Sequence, residues 1–129
     1  MSHHAKGTFD VKMLPQQDAG GDAALGRFLL DKTFHGDLEG TSRGQMLTAG
    51  TAVEGSAGYV AFERVTGTLL GRRGSFVLQH IGTMRAGQYY MSVKVLPDSG
   101  TDELSGLSGT MTIVIEGGGH SYLFDYSFE

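Results

Sequence analysis

Apolar and polar residues alternate with a period of two over much of this chain, most plainly at its end. There His120, Tyr122, Phe124, Tyr126 and Phe128 alternate with Ser121, Leu123, Asp125 and Ser127. In a strand successive side chains point to opposite faces, so this stretch reads as a half-buried β-strand. Its predicted partner is 104–116, joined to it through Gly117-Gly118-Gly119. A second hairpin is predicted from 59–70 and 75–84, with Gly71 and Gly74 flanking a loop of Arg72-Arg73. In that register Val65 faces His80, Leu69 faces Phe76, and Glu63 shares their side.

Four more strands are expected. They are 7–14 (ended by Pro15), 27–35, 38–49 and 89–96. Gly40, Ser42 and Gly44 fall on one face of the third, where small residues let a wall bend or a neighbour approach closely. Tyr89, Met91, Val93 and Val95 share a face of the fourth. The segment 16–26 reads as a polar connection and 50–58 as a loop. The pattern predicts an all-β protein, a single antiparallel closed barrel of about eight strands, with a two-layer β-sandwich as the alternative. Closure removes exposed strand edges, and coiled, glycine-rich strands favour it. Residues 1–6 read as a flexible amino-terminal tail and 7–129 as the barrel domain.

Composition agrees with many corners and no long helices. Glycine numbers 21 against 2 prolines in 129 residues, enough chain for one core. The net charge is −4 and the densest basic pair, Arg72-Arg73, lies in a predicted turn. That argues against nucleic acid as a partner, since phosphate binding gathers basic residues on one face. There are no cysteines, which excludes disulfides and thiolate chemistry and suits a cytoplasmic location. No run approaches the roughly 18 apolar residues of a membrane span, so no membrane association is expected.

Few residues stand out as chemistry. Gly40-Thr41-Ser42-Arg43-Gly44 matches the G-x-S-x-G pattern, but a nucleophile elbow needs a strand-to-helix turn and both flanks here read as strand. His3, His4, His35, His80 and His120 lack metal-ligand spacing, so neither metal nor other cofactor is expected. Glu116-Gly117-Gly118-Gly119 is a hairpin turn, since no phosphate-binding Lys-Ser/Thr follows. Glu63 lies between Phe62 and Val65. In an apolar lumen its pKa would rise, suiting it to general acid or base work, but pairing with Arg64, Arg85 or Lys94 at the rim is the favoured reading. His80 is the second catalytic candidate, as a partner of Glu63 or of a ligand. Asp31, Lys32 and His35 read as turn chemistry at a strand end. Tyr122, Phe124 and Tyr126 either line a pocket or fill a core. The expected ligand-binding set is Tyr59, Glu63, His80, Tyr122 and Phe124.

Several blocks, in order, resemble a known family. They are 30–44 (LDKTFHGDLEGTSRG), 58–68 (GYVAFERVTGT), 74–80 (GSFVLQH), and the tail from Pro97-Asp98-Ser99-Gly100-Thr101 through Leu107-Ser108-Gly109-Thr110-Met111. Together they resemble the bacterial DUF3224 family of small uncharacterised proteins. The resemblance implies a barrel similar to those of the allene oxide cyclase group. Such barrels bind an apolar substrate in the lumen and act largely by positioning it. Three functions are then expected in order: a binding barrel for a small apolar molecule, a cyclase or isomerase using Glu63 or His80, and an interaction module forming a homodimer or higher homo-oligomer.

Overall fold

A computed structural model describes residues 2–17 and 22–129. Its strands, in chain order, are β1 (His3–Gln16), β2 (Leu25–Gly36), β3 (Leu38–Gly50), β4 (Ala57–Leu69), β5 (Arg72–Arg85), β6 (Gln88–Val95), β7 (Leu107–Glu116) and β8 (Gly119–Phe128). Each pairs antiparallel with the next, and β1 returns to β8, so the sheet closes as an up-and-down barrel. The sandwich alternative is thereby set aside. Among the described residues no helix is long and apolar enough to cross a membrane.

Alternation is what makes these segments strands. On β4, Ala61, Glu63, Val65 and Leu69 are buried, and on β8 so are Tyr122, Phe124 and Tyr126, with exposed residues between. The outer face is not uniformly polar. Leu47, Val60 and Ile81 stand exposed in one row across β3, β4 and β5.

Three boundaries differ from expectation. Residues 3–6 are no tail, because His3 to Lys6 pair with Tyr126 to Leu123 and Ala5 is buried against the core. At its other end β1 runs through Pro15, which pairs with Phe28. By then β1 has left β8, whose pairing stops at Phe9, and proline is tolerated on such an edge. The expected connection 16–26 is shorter than predicted, since β2 begins at Leu25; its residues 18–21 lie outside the described residues.

The turn of the β4–β5 hairpin lies two residues earlier than predicted. Leu70 and Gly71 form it with φ of 45° and 88°, the pair of positive values a tight two-residue hairpin turn requires. Val65 therefore faces Phe76, Leu69 faces Arg72, and His80 faces Ala61. The correction moves each partner by four positions, an even number, so Glu63, Val65, Phe76 and His80 still share one face. In the last hairpin Leu104 belongs to a short 3-10 turn (Asp102–Leu104), not to the strand.

The barrel has two unlike ends. At one, Phe34, Leu38, Leu69, Phe76, Val95, Leu104 and Phe124 pack together in the buried core, with Phe76 stacked on Phe124 at 5.9 Å between centroids. The chain after β6 seals this end along β5, with Leu96 N–H donating to Val77 O and Ser99 Oγ accepting from Val77 N–H. The other end, formed by the late halves of the odd strands and the early halves of the even ones, is hollow. The wall is thinnest there too. β6 and β7 share a single paired position, Lys94 with Thr110, leaving the hollow-end halves of both strands unpaired with each other.

Candidate functional site

Glu63 lies at the boundary between the filled and hollow halves, only 1% exposed. Opposite it on β3 stands Gly44, where a Cβ would lie 2.7 Å from the Glu63 Cβ and 2.3 Å from the Phe62 carbonyl oxygen. Glycine at 44 thus lets the two strands approach and leaves the lumen side free for the carboxylate. Two residues back on β3, Ser42 donates its hydroxyl to Glu63 Oε1 at 2.8 Å. Lys32, paired with Ser42 from β2, donates from Nζ to Oε2 at 2.8 Å. His80, inward on β5, brings Nε2 to 2.6 Å from the same Oε2.

The His80 contact is close but poorly aimed. Nε2 has no hydrogen-bond partner in line with its ring N–H, although its distance to the carboxylate is that of a strong ion pair. At this distance His80 stabilises the carboxylate even though its ring N–H is not aimed along the contact.

Burial on its own would push the Glu63 carboxyl upward, as expected from sequence. The short contact from His80 and the charge of Lys32 outweigh it and hold the group down at about 2. Glu63 is therefore an ionised acceptor with both oxygens engaged. It is not an acid poised to give up a proton. The favoured rim pairing is also overturned. Arg64 follows Glu63 directly and so faces outward, and Arg85 and Lys94 are exposed.

Beyond this cluster the lumen opens into a cavity of about 330 Å³. Phe9, Val11, Met46, Met91 and Ile113 form its walls, and Met13, Met84, Tyr89 and Ile115 stand towards the mouth. Lys32 and His80 line it, so they stand between the cavity and Glu63. The Lys32 ammonium also lies 4.9 Å from the centre of the Phe9 ring, a cation–π distance. Tyr59 lines the cavity beside His80, ring centroids 6.5 Å apart. Burial, then the neighbouring Tyr89 and Glu63, push its phenol up to about 12, so it stays a neutral donor. Gly82 makes room for that ring, since a Cβ there would fall 2.2 Å from Tyr59 Cε1.

Of the residues expected at a ligand site, the structure brings Tyr59, Glu63 and His80 together. Tyr122 and Phe124 are not with them. They belong to the filled half, where the Tyr122 hydroxyl accepts from Leu38 N–H at 2.9 Å and donates to the His35 carbonyl at 3.0 Å. Lys32 joins the site although the sequence pattern puts it at a strand end: it lies mid-strand and inward, 6% exposed. Its signal was present: Leu30, Lys32 and Phe34 share one face, which puts a lysine between two core residues. Ser42 is buried within an unbroken strand and bonded to a carboxylate, so the G-x-S-x-G match carries no nucleophile elbow.

Residues 5–126 match the family described as "Protein of unknown function (DUF3224)". A crystal structure at 1.84 Å of a DUF3224-family protein with unknown function from Shewanella oneidensis MR-1 is similar throughout, with 53% identity and a TM-score of 0.93. The match covers all of this chain and 98% of that one. No curated protein matches the chain. A family match over nearly the whole length, together with this structural neighbour, makes the chain a member of the DUF3224 family.

Proposed function

We propose that this protein binds a small, largely apolar molecule in the hollow half of its barrel. The observation that carries the reading is the cavity of about 330 Å³, mostly apolar along its walls, with Lys32, His80 and Tyr59 among its few polar groups. Binding sites for small molecules have this form, an apolar cleft with a few placed polar groups. The core cluster closes one end, so a ligand would enter from the mouth or past the unpaired stretch between β6 and β7.

The same geometry weakens a cyclase or isomerase in which Glu63 supplies a proton. Its carboxylate is ionised and enclosed by Ser42, Lys32 and His80. Proton transfer would fall to His80, and no directed partner for such a step accompanies it. Binding requires no such step.

Titration with 1-decanol, followed by methyl NMR, tests the reading. Shifts confined to Met46, Met91 and Ile113 are expected. Shifts only at outward Val60 and Ile81, or none, would refute it. Native mass spectrometry before and after organic extraction adds an independent check on the ligand carried by the purified protein.

A further inference from the structure

At the polar end of the cavity Lys32 has donors that no protein oxygen fills. Lys32 carries three N–H groups, and among the described residues one of them reaches an oxygen, Glu63 Oε2. Its remaining contacts are the faces of Phe9 and Phe34. His80 is 4% exposed, lines the cavity, and meets Glu63 Oε2 at 2.6 Å off the line of its ring N–H. The Tyr59 phenol adds a further donor at the same end. The carboxylate beside them is already engaged, with Oε1 taken by Ser42 and Oε2 met by Lys32 and His80.

A buried polar group without its partner is costly, and a ligand that supplies the partner recovers that cost on binding. The missing element here is an acceptor. Glu63 already balances the Lys32 charge, and it is the two unfilled Lys32 N–H groups that remain to recognise an acceptor. The walls beyond are mostly aliphatic and aromatic, with Thr48, Thr83 and His120 as the further polar lining residues. We infer that the ligand is an apolar carboxylic acid, its carboxylate set against Lys32 and His80 and its hydrocarbon part running along Met46, Met91 and Ile113. This rests on the lumen-binding reading and adds the head-group chemistry to it.

The test compares decanoate, 1-decanol and decylamine on the full chain by calorimetry, below the concentration at which decanoate forms micelles. The three share a hydrocarbon chain and differ at the head. The inference expects decanoate to bind about tenfold tighter than decanol, with decylamine weakest. Decanol binding as tightly as decanoate would overturn the head-group assignment while leaving lumen binding intact. Binding of none would overturn both. Lys32→Met alone strands a buried carboxylate and can fail to fold, so the informative variant is the neutral pair Lys32→Met with Glu63→Gln. It is expected to lose the preference for decanoate over decanol, read as the ratio of the two affinities. An undiminished preference in that pair and in His80→Gln would equally overturn the inference.

Discussion

Lys32 on β2 and Glu63 on β4 meet at 2.8 Å across an intervening strand, both almost wholly out of water. β3 makes this possible with two small residues. Ser42 faces Lys32 and bonds the carboxylate, while Gly44 faces Glu63 and offers no side chain to displace it. The pair closes the floor of the cavity with charges that satisfy each other.

Removing one partner should cost far more than removing both. Lys32→Met leaves the Glu63 carboxylate buried beside Ser42 and His80, and a loss of about 3–5 kcal/mol is expected. Lys32→Met combined with Glu63→Gln should recover most of it. Urea denaturation of the two single variants and the pair gives the coupling energy directly. Additive losses would show that the ion pair does not couple these positions.

Acid should unfold the protein partly through this one group. Glu63 is held at about 2 in the fold against an ordinary 4.5, so between these values the unfolded chain binds more protons. The stabilisation is fully present above about 4.5 and drains away as pH falls towards 2, amounting to a few kcal/mol. Stability measured against pH should therefore slope less steeply for Glu63→Gln than for the native protein in that window. Parallel slopes would assign the acid sensitivity to other carboxylates.

Tyr122→Phe should weaken the fold and spare the cavity. The hydroxyl holds the turn between β2 and β3, accepting from Leu38 N–H and donating to His35 O. Its loss leaves a buried amide without a partner, at a cost of about 1–3 kcal/mol. Decanol affinity should be unchanged, measured beside the melting curve. A selective loss of affinity would return Tyr122 to the ligand site.

Gly44→Ala and Gly82→Ala should fail differently. At 44 the new methyl meets backbone on β4, and destabilisation of about 1–3 kcal/mol is expected. At 82 it meets the Tyr59 ring, a side chain that can turn away into the cavity. Gly82→Ala is thus expected to lower decanol affinity more than it lowers stability, a contrast that calorimetry and denaturation read together.

Hydrogen exchange should find the barrel's weak seam. β6 and β7 share one paired position, whereas β4 and β5 pair along their whole length. Amides of β6 and β7 that face each other near Tyr89, Met91, Ile113 and Ile115 should exchange fastest among the strands. Protection there equal to that of the β4–β5 hairpin would mean that bridging waters or a tighter closure seal the gap.

What alternation determines is parity, and parity is local. The sequence alone therefore placed Glu63, Val65, Phe76 and His80 on one face, and they stayed together although the turn proved to be Leu70-Gly71. Short strands, glycine corners and the absence of helical periodicity likewise determined the all-β class and favoured closure. The pattern did not say how far along the lumen each inward residue sits, because that depends on stagger between strands summed around the ring. Stagger put Tyr122 and Phe124 in the filled half and Tyr59 in the hollow one. It also brought Lys32 to Glu63, 31 residues away, through two successive pairings that no local signal encodes. A charge's partner in a barrel comes from a neighbouring strand, so closure and register decided that Glu63 is an ionised anchor beneath a cavity.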